Sequence, residues 1–462
     1  MSRPKRLFKE RVKKIHFIGV GGIGMSGIAE ILIDLGYEVS GSDLRKNDNT
    51  QRLENKGAVV FEGHNGDYVS NVDVVVKSSA VRDENPEIIM ARGKKIPVIP
   101  RAEMLAELMR FSDGIAVAGT HGKTTSTSMM AEILHKGGTD ATVIIGGKLN
   151  SMGSNAKTGT GKMMLVEADE SDRSFLFLRP LVNIVTNIDI EHMENYSDLD
   201  DLKDSFGKFM SSVPFYGFNV VCADNEMLME VAMSVHRRII TYGQTENAAY
   251  RAVNIHTSGL YSTYNVLKDG EEKGEITINI PGRHNVMNSL GCVSCALELG
   301  IPFDIIREAL GSFEGVDRRF TIKGEKNNIL VVDDYGHHPT EIVATLDAAR
   351  QGYPERRIIA VFQPHRYSRV VSLFREFAGA FYNADHVFVT EIYGAGESPR
   401  ENINARKIAD AISRNSHRKS EPSGDLSSTL DLLKKTVRPG DLVITLGAGS
   451  ITGLGKMLLE EL

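Results

Sequence analysis

The chain has 462 residues, a formal net charge of −6, 41% hydrophobic residues and 25% charged residues, which predicts two to four ordinary globular domains. That charge gives no electrostatic case for nucleic acid, no apolar run approaches the length of a bilayer span, and three cysteines are too few for a disulfide framework. The basic stretch Met1–Lys14 lacks the apolar core of a signal peptide, so it reads as a solvated lead-in and the expected location is cytoplasmic.

Lys14–Val20 reads as a strand running into Gly19-Val-Gly21-Gly22-Ile23-Gly24, a complete G-x-G-x-x-G, and Met25–Leu35 continues as a helix. A second strand, Tyr37–Ser40, leads to Asp43, close to where a dinucleotide fold places its ribose-binding acid. Alone, this block says NAD. Its general content is a diphosphate on a helix N-terminus, whichever nucleotide carries it. Val72–Lys77 is another strand, with Ser78 and Ser79 at its carboxyl end, where ligands bind in open α/β sheets. A short strand at Ile96–Ile99 and a helix at Arg101–Met109 follow, and the first domain boundary falls near residue 111.

The apolar run Ile115–Ala118 reads as a buried strand ending in Gly119-Thr120-His121-Gly122-Lys123-Thr124-Thr125, with a helical pattern after it. Strand, glycine turn, Lys-Thr and helix make a phosphate-binding loop, although the usual spacing would need a glycine at Val117. The glycines let backbone N–H groups close on phosphate oxygens, Lys123 can reach the outer phosphates, and Thr124 can put a hydroxyl on Mg²⁺. The chain is therefore expected to use ATP, and this second nucleotide loop weakens the NAD reading of the first.

Met163–Val166 ends in three carboxylates, Glu167, Asp169 and Glu170. Hard cations take oxygen ligands, and Glu167 leaves the strand first, so it is the expected Mg²⁺ ligand. Leu181–Thr186 is a strand running into Asn187 and on to His192, past the same presumed sheet edge. Ala248–Gly274 reads as a β-rich excursion, Ile276–Pro281 as a strand, and Gly282-Arg283-His284-Asn285 as the opening of a helix. Cys292 and Cys295 form a C-x-x-C inside that helix's apolar pattern and read as buried helix residues, not as a metal or redox pair.

Phe313–Phe320, with Asp317, Arg318 and Arg319, looks like a hinge into a third domain. Ile329–Asp334 is a buried strand, and Tyr335-Gly-His337-His338-Pro339 caps a helix. Arg357–Phe362 is the next strand, and Gln363–Arg369 opens another helix. Arg366 and Arg369 stand i,i+3 apart, which in a helix would turn both toward one anionic group. Strands at His386–Thr390 and Asp441–Leu446 follow, the last running into Gly447-Ala-Gly449. There is no internal repeat.

Gly19-Val-Gly-Gly-Ile-Gly-Met-Ser-Gly27, Gly119–Thr125, Glu167-Ala-Asp-Glu-Ser-Asp172, Gly282-Arg-His-Asn285, Asp317-Arg-Arg-Phe320, Asp333-Asp-Tyr-Gly-His-His-Pro339 and Phe362-Gln-Pro-His-Arg-Tyr-Ser-Arg369 together resemble the Mur ligases, the cytoplasmic ligases of peptidoglycan synthesis. The resemblance spans essentially the whole chain. The phosphate loop is shared with the wider superfamily, folylpolyglutamate synthase included; the first glycine motif and Asp333–Pro339 narrow the likeness to the alanine-adding branch.

That resemblance implies an α/β protein of three domains: a Rossmann-like UDP-sugar domain over 1–111, a central P-loop ATPase-type domain over 112–316, and a Rossmann-like amino-acid domain over 317–462. The implied substrates are UDP-N-acetylmuramate, L-alanine and ATP, with Mg²⁺ or Mn²⁺, and the implied state is a monomer or weak homodimer. The UDP-sugar would lie at Gly21, Gly22, Ile23, Gly24, Asp43, Ser78 and Ser79. ATP would meet Gly119, Thr120, His121, Gly122, Lys123, Thr124, Thr125, His284, Asn285, Arg319 and Asp334. Thr124, Glu167 and His192 would hold metal, and Tyr335, His337, Arg366 and Arg369 would surround the alanine and the reacting carboxylate. Lys123, His192, His337, Arg366 and Arg369 are the expected catalytic groups. Family members often carry Asp where this chain has Glu191, a change expected to matter little. Alternatives are another amide ligase of the superfamily (muropeptide-recycling or folylpolyglutamate type), a dehydrogenase, and a non-catalytic nucleotide-binding regulator.

Overall fold

Apolar runs buried on both faces set the architecture, as parallel sheets covered by helices require. In this computed structural model, which describes residues 11–146, 155–400, 402–416 and 419–462, three sheets organise the chain. The first ten residues of the basic lead-in lie outside the described residues. Two compact units result: one comprises residues up to 251 with 268–271 and 288–309, the other 252–267, 272–287 and 310–462.

The first unit opens with β1 (Lys14–Ile18), β2 (Glu38–Asp43), β3 (Val59–Glu62), β4 (Val74–Lys77) and β5 (Val98–Pro100). All pair in parallel, in the order β3-β2-β1-β4-β5. Strand order reverses between β1 and β4, and the glycine turn after β1 and Ser78 after β4 sit at that switch point, where such sheets open a ligand crevice. The second sheet of this unit contains β6 (Asp113–Ala118), β7 (Thr142–Ile144), β8 (Ala156–Lys157), β9 (Met163–Glu167), β10 (Val182–Val185), β11 (Phe218–Cys222) and β12 (Arg238–Gly243). Their order is β12-β11-β10-β6-β9-β7-β8, antiparallel only at β7–β8. β6 is central, flanked by β9 and β10, so the loops after all three leave one carboxyl edge together.

The polar stretch read as a β-rich excursion forms β13 (Tyr250–Ser258), β14 (Tyr261–Lys268) and the start of β15 (Glu271–Ile278), which runs on into the strand expected separately at Ile276–Pro281 and ends at Ile278; the three pass from one unit to the other. The helix Arg283–Glu298 follows, and within it Cys292 and Cys295 are buried, as their pattern indicated.

The second unit's sheet contains β16 (Thr321–Lys326), β17 (Ile329–Asp334), β18 (Arg357–Phe362), β19 (His386–Thr390), β20 (Lys419–Gly424) and β21 (Asp441–Leu446), ordered β16-β17-β21-β18-β19-β20. Only β16 is antiparallel. Alternation along β17 and β18 divides the core. Val332, Ala360 and Phe362 pack with Leu346, Phe377 and Phe381 on one face, and Val331, Ile359 and Val361 pack with Leu454 and Leu458 on the other.

Candidate active site

The phosphate loop follows β6, whose last five residues are buried. Gly119 has φ +131°, and a Cβ there would collide with the Thr186 hydroxyl. Gly122 has φ +83°, and a Cβ there would collide with the Asn288 side chain. Both glycines are therefore required by backbone conformation and by close packing. The loop is pinned from the end of β10. Asn187 O accepts from Thr120 N–H at 3.1 Å, Asn187 Oδ1 accepts from His121 N–H at 2.9 Å, and the Thr186 hydroxyl donates to His121 O at 2.6 Å. The helix Lys123–Lys136 that follows has no side-chain cap, so its first N–H groups are open to an anion.

Lys123 donates to Gly119 O at 2.8 Å and to Thr120 O at 3.2 Å, and its ammonium lies 2.8–2.9 Å from both carboxylate oxygens of Glu170. The two side chains are 14% and 2% exposed. Burial alone would push the Lys123 ammonium down. The charges of Glu170 and Asp169 outweigh it and hold Lys123 protonated. Of the three carboxylates at this strand end, Glu170 is thus the partner of the lysine, while Glu167 meets Thr124. The Thr124 hydroxyl donates to Glu167 Oε1 at 3.0 Å, and Glu167 Oε2 accepts from Gly146 N–H at 2.8 Å. Hydroxyl and carboxylate are hard oxygen donors, a pair that fits Mg²⁺ or Mn²⁺. On the same edge His121 Nε2 lies 3.0 Å from Asp189 Oδ2, and His192, in the left-handed region at φ 57°, lies 3.6 Å from Glu191 Oε1.

The glycine turn after β1 opens on a cleft of about 510 Å³ lined by Gly19, Gly21, Gly22, Asp43, Leu44, Asn47, His64, Ser78, Ala80, Val81, Arg82 and Asn85. Of the predicted UDP-sugar residues, Gly21, Gly22, Asp43 and Ser78 line it; Ile23 lines a neighbouring hollow with Arg52 and Asn155, Gly24 packs toward Arg101, and Ser79 is exposed. Asp43 spends one carboxylate oxygen on Gly21 N–H at 2.8 Å, tying the turn to β2. A Cβ at Gly21 would stand 2.8 Å from Asn47 Nδ2 and 2.9 Å from Asp43 Oδ2, so this glycine serves the loop's own packing as well as the approach of a ligand. Asn47, His64 and Arg82 were not legible as site residues, since each lies in a loop with no motif around it.

In the second unit, Asp334 is buried at the end of β17 and accepts from Phe320 N–H and Gly336 N–H, each at 2.7 Å. Burial pushes its carboxyl up against the pull of Arg319 and those N–H groups. Tyr335 lies under the Arg318 and Arg319 guanidinium groups at 4.9 and 5.4 Å. His338 caps the helix Pro339–Gly352 in a reciprocal box with Glu341. His337 shares Glu341, its N–H donating to Oε2 at 3.1 Å and its Nδ1 lying 3.3 Å from that oxygen and 3.0 Å from Tyr335 O, and its ring centroid is 5.8 Å from that of His365. Asn285 donates to Pro281 O at 2.8 Å, and His284 stands beside Gly282.

One helical reading is corrected. Arg366 is not in a helix: it has φ 64° and stands as the N-cap of the short helix Tyr367–Ser372, its N–H donating to Tyr393 O at 2.9 Å. The i,i+3 rule therefore does not put it on one helical face with Arg369. Arg369 instead points back to His365, Nη1 to Nδ1 at 3.3 Å, and His365 stacks on Tyr393 at 5.5 Å. Burial, with the positive charges of His337, Arg369 and Arg366, holds the His365 ring down at about 4, so it is neutral near pH 7 and Nδ1 can accept from the guanidinium.

A glycine-walled phosphate loop with an adjacent hard-oxygen pair, and in the second unit a cation-rich strand end, are parts an ATP-using enzyme requires. The chain belongs to the Mur ligase family: its residues 14–112 match the Mur ligase family catalytic domain, 117–296 the Mur ligase middle domain, and 318–449 the Mur ligase glutamate ligase domain. It is 52% identical to the UDP-N-acetylmuramate–L-alanine ligase of Trichlorobacter lovleyi, over 98% of this chain and 99% of that protein. It is 53% identical to that of Geotalea uraniireducens, over 98% of both. The crystal structure of UDP-N-acetylmuramate-alanine ligase from Thermotoga maritima is similar with a TM-score of 0.81 at 31% identity, covering 97% of this chain and 98% of that one. A murein peptide ligase from Psychrobacter arcticus gives 0.70 at 26%, with the same coverage.

Proposed function

We propose that the chain joins L-alanine to the carboxylate of UDP-N-acetylmuramate in a reaction driven by ATP, in peptidoglycan precursor synthesis. The observation that carries this reading is the likeness, over 98% of the chain at 52–53% identity, to proteins named for that reaction. In this reading residues 1–111 take the UDP-sugar, 112–316 take ATP, and 317–462 take the amino acid. No helix among the described residues is long and apolar enough to cross a membrane, in keeping with soluble substrates.

The chemistry runs in two steps. A muramoyl carboxylate oxygen attacks the γ-phosphorus of ATP, ADP leaves, and an acyl phosphate forms. The alanine nitrogen then attacks the acyl carbon, loses a proton, and expels phosphate. Gly119–Thr125 cradle the phosphates with open N–H groups, and Lys123 swings from Glu170 to the transferring group, whose charge it neutralises. Thr124 and Glu167 would hold the divalent ion, which supplies further neutralisation of that charge when bound. His192 would contribute to a second metal position. Arg319, Asp334, His284 and Asn285 serve the nucleoside of ATP. Tyr335, His337, Arg366 and Arg369 hold the alanine carboxylate and the acyl phosphate, a pairing suited to guanidinium forks. No protein nucleophile is needed.

The test is product mass. With ATP, Mg²⁺, UDP-N-acetylmuramate and a panel of amino acids, the nucleotide sugar should gain one alanine residue. Extension of a folate by glutamate, or ligation of a preformed peptide to the sugar while free alanine is ignored, would overturn the reading.

A further inference from the structure

The phosphate chemistry described above makes no use of one fully buried acid of the first unit. Glu87 has no exposed surface, yet it lies among strands, and a buried carboxylate is costly unless its oxygens are satisfied. They are. Oε2 lies 2.6 Å from His16 Nε2, Oε1 lies 2.7 Å from His64 Nδ1, and the Ser42 hydroxyl donates to both oxygens at 2.8 and 2.9 Å. The acid stands in the first turn of the helix Pro86–Gly93, its own N–H capped by Asn85 Oδ1 at 2.9 Å, where the helix dipole favours negative charge. Burial pushes the carboxyl up, but His16, Ser42 and His64 outweigh that and hold it below the ordinary range.

An ionised carboxylate only accepts hydrogen bonds, so each ring nitrogen facing it must carry the proton. For His64 that nitrogen is Nδ1. The ring also lines the cleft beyond the glycine turn, and with Nδ1 committed to Glu87 and Ser42, Nε2 is the nitrogen left for a ligand. In the neutral ring Nε2 is then an acceptor.

We propose that Glu87 is a positioning residue for the nucleotide-sugar cleft: it locks His64 with its proton on Nδ1, so that Nε2 accepts a hydrogen bond from an imide N–H of the ligand's base. This rests on the reading that the cleft holds a uridine diphosphate sugar. Uracil offers such a hydrogen at N3. Cytosine presents a lone pair there, and 3-methyluracil a methyl group, so both leave Nε2 facing a group that cannot donate. The buried cluster thereby becomes the source of base discrimination, at a distance from the diphosphate grip of Gly21 and Gly22.

The experiment measures binding of UDP, 3-methyl-UDP and CDP to the full-length chain by calorimetry, together with steady-state kinetics. The parent should prefer UDP over both analogues by about tenfold or more, the usual effect of one unmet buried hydrogen bond. His64→Gln carries an acceptor close to the Nε2 position and should keep much of the preference, whereas His64→Asn reaches only the Nδ1 position and should lose it. Glu87→Gln should also flatten the preference, because an amide can donate to Nδ1 and move the ring proton to Nε2, and the damage should fall in the KM for the UDP-sugar, not in kcat. If Glu87→Gln does not fold, the His64→Gln and His64→Asn pair decides. Equal preference in parent and His64→Asn, or no preference in the parent, overturns the proposal. A parent that binds neither UDP nor the UDP-sugar would instead overturn the assignment of the cleft.

Discussion

Removing Lys123 tests catalysis and packing together, and the structure separates the two. Its ammonium stands 2.8–2.9 Å from both oxygens of Glu170, which is 2% exposed. Lys123→Ala therefore removes the phosphate-binding charge and strands a buried carboxylate. Breaking one side of such a pair costs about 3–5 kcal/mol, so the variant should fold with lower stability, not with the parent's. Lys123→Met with Glu170→Gln removes both charges and should recover most of that loss. Both variants should still lose phosphate release by about 10³-fold or more, the scale for groups that neutralise a transferring phosphoryl. The pH dependence follows from linkage. Burial pushes the Glu170 carboxyl up, and loss of Lys123 removes the main opposing pull. A group raised in the folded state supports stability below its unfolded value and loses that support as pH rises through the folded one, so the Lys123→Ala deficit should shrink toward pH 4–5. Urea unfolding at several pH values, with phosphate release on the same samples, measures both parts. A single variant as stable as the double one would refute the ion-pair argument, and a folded double variant with parental turnover would refute the phosphate-loop role.

Glu167→Gln keeps the shape beside Thr124 but removes the charge, and should raise the Mg²⁺ needed for half-maximal rate by about tenfold or more; an unchanged titration would mean no ion binds there. Arg369→Lys should raise the KM for L-alanine or lower kcat, and Arg366→Lys likewise, while parental kinetics in both would move the amino-acid site elsewhere. The His365 ring, held down at about 4, gives stability that is full above its unfolded value of 6.5 and is lost as pH falls between the two, so the parent should lose more stability across that window than His365→Asn. Gly21→Ala should weaken UDP-sugar binding and loosen the turn at Asp43 and Asn47, with ATP binding retained, as parallel calorimetry with the two nucleotides can read.

The phosphate loop was legible because strand, glycine turn, Lys-Thr and helix are consecutive, so one local pattern carries the whole geometry. The strands that read as apolar runs recur within a few residues of their observed ends, β6 and β18 among them. What sequence could not give was pairing across the sheet. Three carboxylates fall within four residues at the end of β9, and only packing decides that Glu170 meets Lys123 while Glu167 meets Thr124. His16, His64 and Glu87 are scattered over 72 residues on a strand, a loop and a helix, and no spacing rule joins them. Arg366 failed for a different reason: its left-handed backbone is uncommon for a non-glycine residue, so a helical register was the wrong template.

The most direct measurement is phosphate release from ATP by the full chain with UDP-N-acetylmuramate, with and without L-alanine. Sustained release that needs both the nucleotide sugar and the amino acid, matched mole for mole by the alanylated sugar, is the expected result. Release that proceeds equally without the sugar, or that answers only to a different amino acid, would contradict the account.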